Sequence, residues 1–121
     1  VKVLDTNVII YLLNNQLATP LPVDHYMVSV ISRIELLGWK GLSPEQESAI
    51  QAVLSELTVV GLEDSMIDLV IELRKTTSLR IPDAIIASTA MLAGAELVTR
   101  DLGFRQVPGL KLIPIEILDG P

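Results

Sequence analysis

The stretch VKVLDTNVII, Val1–Ile10, decides how the rest of the chain is read. Its first four residues favour a strand and Asn7 to Leu13 favour a short helix. At the junction stand a carboxylate, a hydroxyl and an amide: Asp5, Thr6 and Asn7. A strand passing into a helix is the opening of an α/β unit. In open α/β sheets ligands bind at the carboxyl ends of the strands, near the point where strand order reverses. Polar residues that directly follow strands are therefore the ones to explain.

The alternation continues downstream. Tyr26 to Ser29 reads as a second strand, and Val30 to Gly38 as a helix with Ile31, Ile34 and Leu37 at helical spacing. Ser43, Pro44 and Gln46 form a capping-box signature ahead of a helix carrying Ile50, Val53, Leu54 and Leu57. Thr58 to Val60 is a strand, Ser65 to Lys75 a helix, and Pro82 to Ala93 another helix that Gly94 is placed to end. Glu96 to Thr99 and Leu110 to Ile113 are the remaining strands. Strands alternating with helices predict a three-layer α/β/α sandwich around a short, mostly parallel central sheet.

Composition narrows the chemistry. The 121 residues are half apolar, the scale of one domain spanning 1–121 with a real core. There is no Cys, which excludes disulfide scaffolds, thiolate zinc sites and cysteine nucleophiles together. His25 is the single histidine, so a Ser-His-Asp triad and a His-rich metal site are disfavoured. Nine Lys and Arg against fifteen Asp and Glu leave a net charge of -6, which argues against gripping nucleic acid by bulk positive charge. With three aromatics besides Trp39, a platform for stacking successive bases is also disfavoured. High aliphatic content suggests surface that another chain covers. The longest apolar stretch, Ala84 to Ala95, is broken by Ser88, Thr89 and Gly94 and falls short of the ~20 residues of a membrane span. No signal-peptide pattern precedes Asp5, so the expectation is a cytoplasmic protein without membrane contact.

Four acids fall in comparable places. Asp5 follows the first strand, where it could cap a helix; Asp83 sits in the first turn of its helix, where an acid meets the helix dipole favourably. Asp101 follows the Glu96 strand and could begin a turn to Gly103, while Glu35 lies at the edge of the Ile31, Ile34 and Gly38 stripe. A carboxylate at that edge must reach water, pair with a base such as Arg33, or share a cation. Singly each has an ordinary explanation. Together, on one ligand edge, they repel, and a hard divalent cation with oxygen ligands is the usual remedy. Mg²⁺ or Mn²⁺ suits such a set, with metal-activated water as nucleophile and a phosphodiester as substrate.

The motifs VLDTNVIIYL from Val3, SRIELLG at Ser32–Gly38, IPDAIIASTA at Ile81–Ala90 and LVTRDLGF at Leu97–Phe104, with VPGLKLI closing at Val107–Ile113, resemble a PIN-domain ribonuclease over nearly the whole chain. The likeness is to a VapC-type toxin of a type II toxin-antitoxin pair. That resemblance implies that Asp5, Glu35, Asp83 and Asp101 bind Mg²⁺ or Mn²⁺, with Thr6, Asn7 and Thr99 as supporting polar groups. It also implies a homodimer, an antitoxin that blocks the site, and an RNA substrate cut to leave a 5′ phosphate. Against the net acidity, RNA contacts have to be local, and Arg74, Lys75, Arg80, Arg100 and Arg105 are the candidates.

Other readings share parts of this pattern. A PIN domain kept for RNA processing, or a catalytically silent binding module whose acids act only as caps, has the same motifs. An aspartyl phosphatase needs a second acid two residues after the first, where this chain has Asn7. A receiver domain needs a mid-chain phospho-accepting Asp, which Thr58 to Gly61 does not supply.

Overall fold

Five short strands, β1 (Lys2–Leu4), β2 (Tyr26–Ser29), β3 (Thr58–Val60), β4 (Glu96–Val98) and β5 (Leu112–Ile113), form one parallel sheet in the order β3-β2-β1-β4-β5. The computed structural model describes residues 1–118. The helices are α1 (Thr6–Leu13), α2 (Val30–Leu37), α3 (Pro44–Ser55), α4 (Asp64–Thr76) and α5 (Ile81–Leu92), with a 3₁₀ helix at Leu102–Gln106. From β1 the chain winds outward through β2 and β3, then returns to add β4 and β5 on the other side. The order therefore reverses between β1 and β4, and their carboxyl ends open the crevice where ligands bind in such sheets.

Alternation along each strand sends side chains to opposite faces. Val3 and Leu97 point into one core with Leu73, Leu79, Ile86, Ala87 and Ala90 of the α4–α5 region, together with Phe104 and Val107. Leu4, Val28 and Val98 point into the other, against Val8 and Ile9 of α1, Leu36 of α2, and Ile50 and Leu54 of α3. Covering both faces is what a parallel sheet requires, and it explains strands that read as continuous apolar runs. The apolar run of α5 is buried continuously from Ala84 to Ala90. Gly94, just past that helix, takes a positive φ of 61°, a conformation that costs glycine nothing.

The Ser43–Gln46 capping box forms as expected: each side chain bonds the other residue's backbone N–H, at 3.1 and 2.9 Å. Other details differ from the periodicity. Ile34 is exposed, because the buried face of α2 runs through Ser32 and Leu36 instead. The Asp101 turn continues as the 3₁₀ helix, folded over the fully buried Phe104 ring. β5 is confined to Leu112–Ile113, and an antiparallel bridge joins Leu17 to Ile117 near the end of α1. That bridge links segments about a hundred residues apart and has no local signature.

Candidate active site

Asp5 occupies the N-cap position of α1, yet its side chain makes no capping hydrogen bond. Its backbone N–H donates to the carbonyl of Val98 at 3.1 Å, which pins it at the reversal point between β1 and β4. The carboxylate is 5% exposed and accepts from the Thr99 hydroxyl at 2.7 Å. Thr99 Oγ1 in turn accepts from the Asp101 N–H at 3.0 Å, so one buried hydroxyl couples the ends of β1 and β4. A capping role for Asp5 fails here, because the carboxylate is turned toward the crevice.

A second chain of bonds holds Glu35. Thr6 Oγ1 donates to Glu35 Oε1 at 2.9 Å and stands 2.7 Å from the hydroxyl of Ser32. Glu35 is exposed and forms no ion pair with Arg33, so of the fates open to it that pairing is not the one taken. Ser32 is fully buried and was not among the expected site residues. It stands one turn before Glu35 in SRIELLG, and that i, i+3 spacing on a helix carrying an acid was the available signal. Asn7 lines the same cleft and makes no side-chain hydrogen bond among the described residues.

Asp83, half-buried in the first turn of α5, faces this group. Asp101 is exposed, and one of its oxygens accepts from the Gly103 N–H at 2.8 Å, which is the turn expected for it. The four acids still act as one field. Burial raises the Asp5 carboxyl to about 6, the Thr99 hydroxyl pulls it down, and the charges of Asp83 and Asp101 push it up. Asp83 is raised by burial first and then by Asp101 and Glu35, with Arg80 opposing. None of the four carboxylates has an ion-pair partner among the described residues.

The acids open into a cleft of about 560 Å³ whose lining includes Asp5, Thr6, Asn7, Glu35 and Asp83. Its other wall is apolar: Ile10 and Leu13 of α1, Leu36 of α2, Trp39, Leu42, and Ile50 of α3. This wall was not legible in advance, since it is assembled from three helices and Trp39 carries no motif. The donor set is all oxygen and bears excess negative charge, the character that hard cations seek. Among the described residues no three acids stand close enough to hold one ion directly.

The PIN domain family model matches residues 2–110. The chain belongs to the PIN domain family. This PIN domain is also similar to solved structures: a toxin-antitoxin complex from Klebsiella pneumoniae, at 27% identity and TM-score 0.75, covers 93% of this chain and 96% of that one. DNA-bound VapBC from Salmonella typhimurium has the same identity and coverage with TM-score 0.78. VapBC2 from Rickettsia felis, bound to a fragment of promoter DNA, reaches TM-score 0.80 at 22% identity, covers 95% and 98%, and so speaks for the fold alone. No curated protein matches the chain. The likeness to VapC-type PIN chains drawn from the motifs agrees with these findings.

Thr99 gives this PIN domain a sharp test. Thr99→Val keeps the shape but removes the bond to Asp5 and the acceptor for the Asp101 N–H. Nuclease activity is expected to fall about 10–100-fold, the usual cost of losing a group that orients a ligand. Without the hydroxyl that lowers it, the Asp5 carboxyl rises further, so the acid limb of the pH–rate profile moves to higher pH. A variant with the wild-type rate and profile would show Thr99 to be only a structural filler.

Proposed function

We propose that this PIN domain is a Mg²⁺- or Mn²⁺-dependent endoribonuclease that hydrolyses RNA phosphodiester bonds, and that it is the toxin of a toxin-antitoxin pair. The observation that carries the reading is the convergence of Asp5, Glu35, Asp83 and Asp101 at one strand-order reversal with no cationic side chain paired to any of them among the described residues. The 27% identity to the K. pneumoniae toxin-antitoxin complex and to S. typhimurium VapBC supports a cognate antitoxin as partner. The apolar wall beside the acids supports a protein that covers the site. Exposed Ile67 and Ile71, one turn apart on α4, support a homodimer.

In this reading one or two of the four carboxylates would hold the ion directly, and the others would act through its waters and their charge. Held there, a divalent cation would supply a more acidic water as nucleophile and positive charge for the phosphoryl oxygens. The protein's own groups do the positioning. Thr99 fixes the Asp5 carboxylate, while Thr6, backed by Ser32, fixes Glu35. Asp83 is presented by a helix whose first turn is anchored below by fully buried Ala84. Burial of Asp5 keeps bulk water from competing with the ion for that oxygen.

The products test the chemistry. Attack by water leaves a 5′ phosphate and a 3′ hydroxyl, whereas attack by the ribose 2′ hydroxyl leaves a 2′,3′-cyclic phosphate and a 5′ hydroxyl. End-analysis of RNA cut by the purified chain is expected to show 5′ phosphates. Cyclic phosphate ends would contradict hydrolysis by activated water.

A further inference from the structure

The acid cleft accounts for one phosphate and leaves two neighbouring guanidinium groups without a role. Beyond the turn from Thr99 to Asp101 lies a second cavity of about 400 Å³, at the carboxyl ends of β4 and β5. Arg100 and Arg105 line it, over an aliphatic surface of Leu102, Leu112, Pro114 and Ile115. Thr99 and Asp101 form its remaining edge. Because Thr99 also holds Asp5, the two cavities meet at one buried hydroxyl.

The five candidate cations separate clearly. Arg74 donates to the carbonyl of Leu79 at 2.6 Å and serves the loop before α5. Lys75 lies in the last turn of α4, and Arg80 acts on Asp83. Arg100 and Arg105 alone among the five line a cavity bordering the acids. Neither has a carboxylate partner among the described residues, and Arg100 lies over the Tyr11 ring, 6.0 Å from its centroid, which biases its orientation.

We propose that this second cavity is a subsite for the nucleotide next to the cleaved bond. Its phosphate sits between Arg100 and Arg105, and its sugar and base lie on the aliphatic surface. The inference rests on the ribonuclease reading. Guanidinium forks match phosphate oxygens, and a nucleotide joins that anion to a flat apolar face. An acidic peptide offers the anion without the face. In a chain of net charge -6, two cations at the edge of the acid site provide the local attraction that RNA requires.

The test is cleavage of a set of single-stranded oligoribonucleotides of decreasing length in Mg²⁺, by wild type, Arg100→Gln and Arg105→Gln. Each variant is expected to raise KM about tenfold on long RNA, the scale of one charge-assisted hydrogen bond. The slope of log KM against log salt is expected to drop by roughly 0.7 for each phosphate left without its arginine. The ratio of variant to wild-type KM should shrink toward one as the RNA is shortened past the subsite. Both arginines are exposed, so an unchanged unfolding midpoint checks the fold. KM within twofold of wild type on long RNA, with an unaltered salt slope, would overturn the subsite. A wild-type chain that cuts no RNA would remove the ribonuclease reading itself, and the subsite with it.

Discussion

Asp5→Asn is expected to lower RNA cleavage by about a thousandfold or more while making the metal-free fold more stable at neutral pH. Activity falls because a neutral amide is a poor ligand for a hard cation, and Asp5 is the most deeply buried of the four acids. Stability rises because the wild-type carboxyl is raised from 3.8 to about 6, chiefly by burial. The folded chain therefore binds this proton more tightly than the unfolded chain. Asp5 favours the fold fully below about 4, and that contribution is lost as pH rises through about 6. At pH 7 the ionised group costs up to about 3 kcal/mol, which Asn escapes if its Oδ1 still accepts from Thr99. Thermal unfolding in EDTA from pH 4 to 7 reads this directly: wild type should lose stability across the window and the variant should lose less. Parallel curves would mean that Asp5 is better solvated than its surroundings imply, and an unfolded variant would mean that the fold needs the carboxylate itself, since Asn caps a helix as well as Asp does.

The largest loss of stability is expected at Phe104, which lies in LVTRDLGF and is fully buried. Phe104→Ala should cost about 3–5 kcal/mol and lower the unfolding midpoint on the order of 10 °C or more. Its ring belongs to the core with Leu97 and Val107, and it anchors the 3₁₀ helix that Asp101 caps and that carries Arg105. Activity should fall with stability, since the helix that loosens holds one acid and one subsite arginine. Denaturant melts and cleavage assays below the midpoint separate the two effects. A cost under about 1 kcal/mol would show that the 3₁₀ helix is held by its turns and not by this ring.

What was legible in the sequence follows from which forces are local. The Ser43 capping box, the strand at Tyr26–Ser29 and the end of α5 at Gly94 depend on neighbours within a few residues, and each lies where its pattern places it. Asp5 and Asp101 stood out because each follows a strand, and parallel pairing of β1 with β4 brings those two strand ends together, whereas Glu35 and Asp83 reach the same edge through the packing of α2 and α5. Periodicity failed at α2, where a fully buried serine replaces Ile34 on the inner face. Ser32 is there because Thr6 hydrogen-bonds it, a partner 26 residues away that no local pattern announces. The apolar wall of the cleft and the Leu17–Ile117 bridge are likewise products of tertiary pairing.

Whether these acids form a metal centre is decided by cleavage of a structured RNA pool by the purified chain in Mg²⁺, in EDTA, and by Asp83→Asn in Mg²⁺. Asp83 is only half-buried, so its amide variant should keep the fold, and it controls for contaminating ribonuclease. The expected result is cutting in Mg²⁺ that EDTA abolishes and that the folded variant lacks. Equal cutting in all three, or none by a folded wild-type chain that also fails to bind Mn²⁺, would contradict a carboxylate-held metal centre and leave these acids with structural roles only.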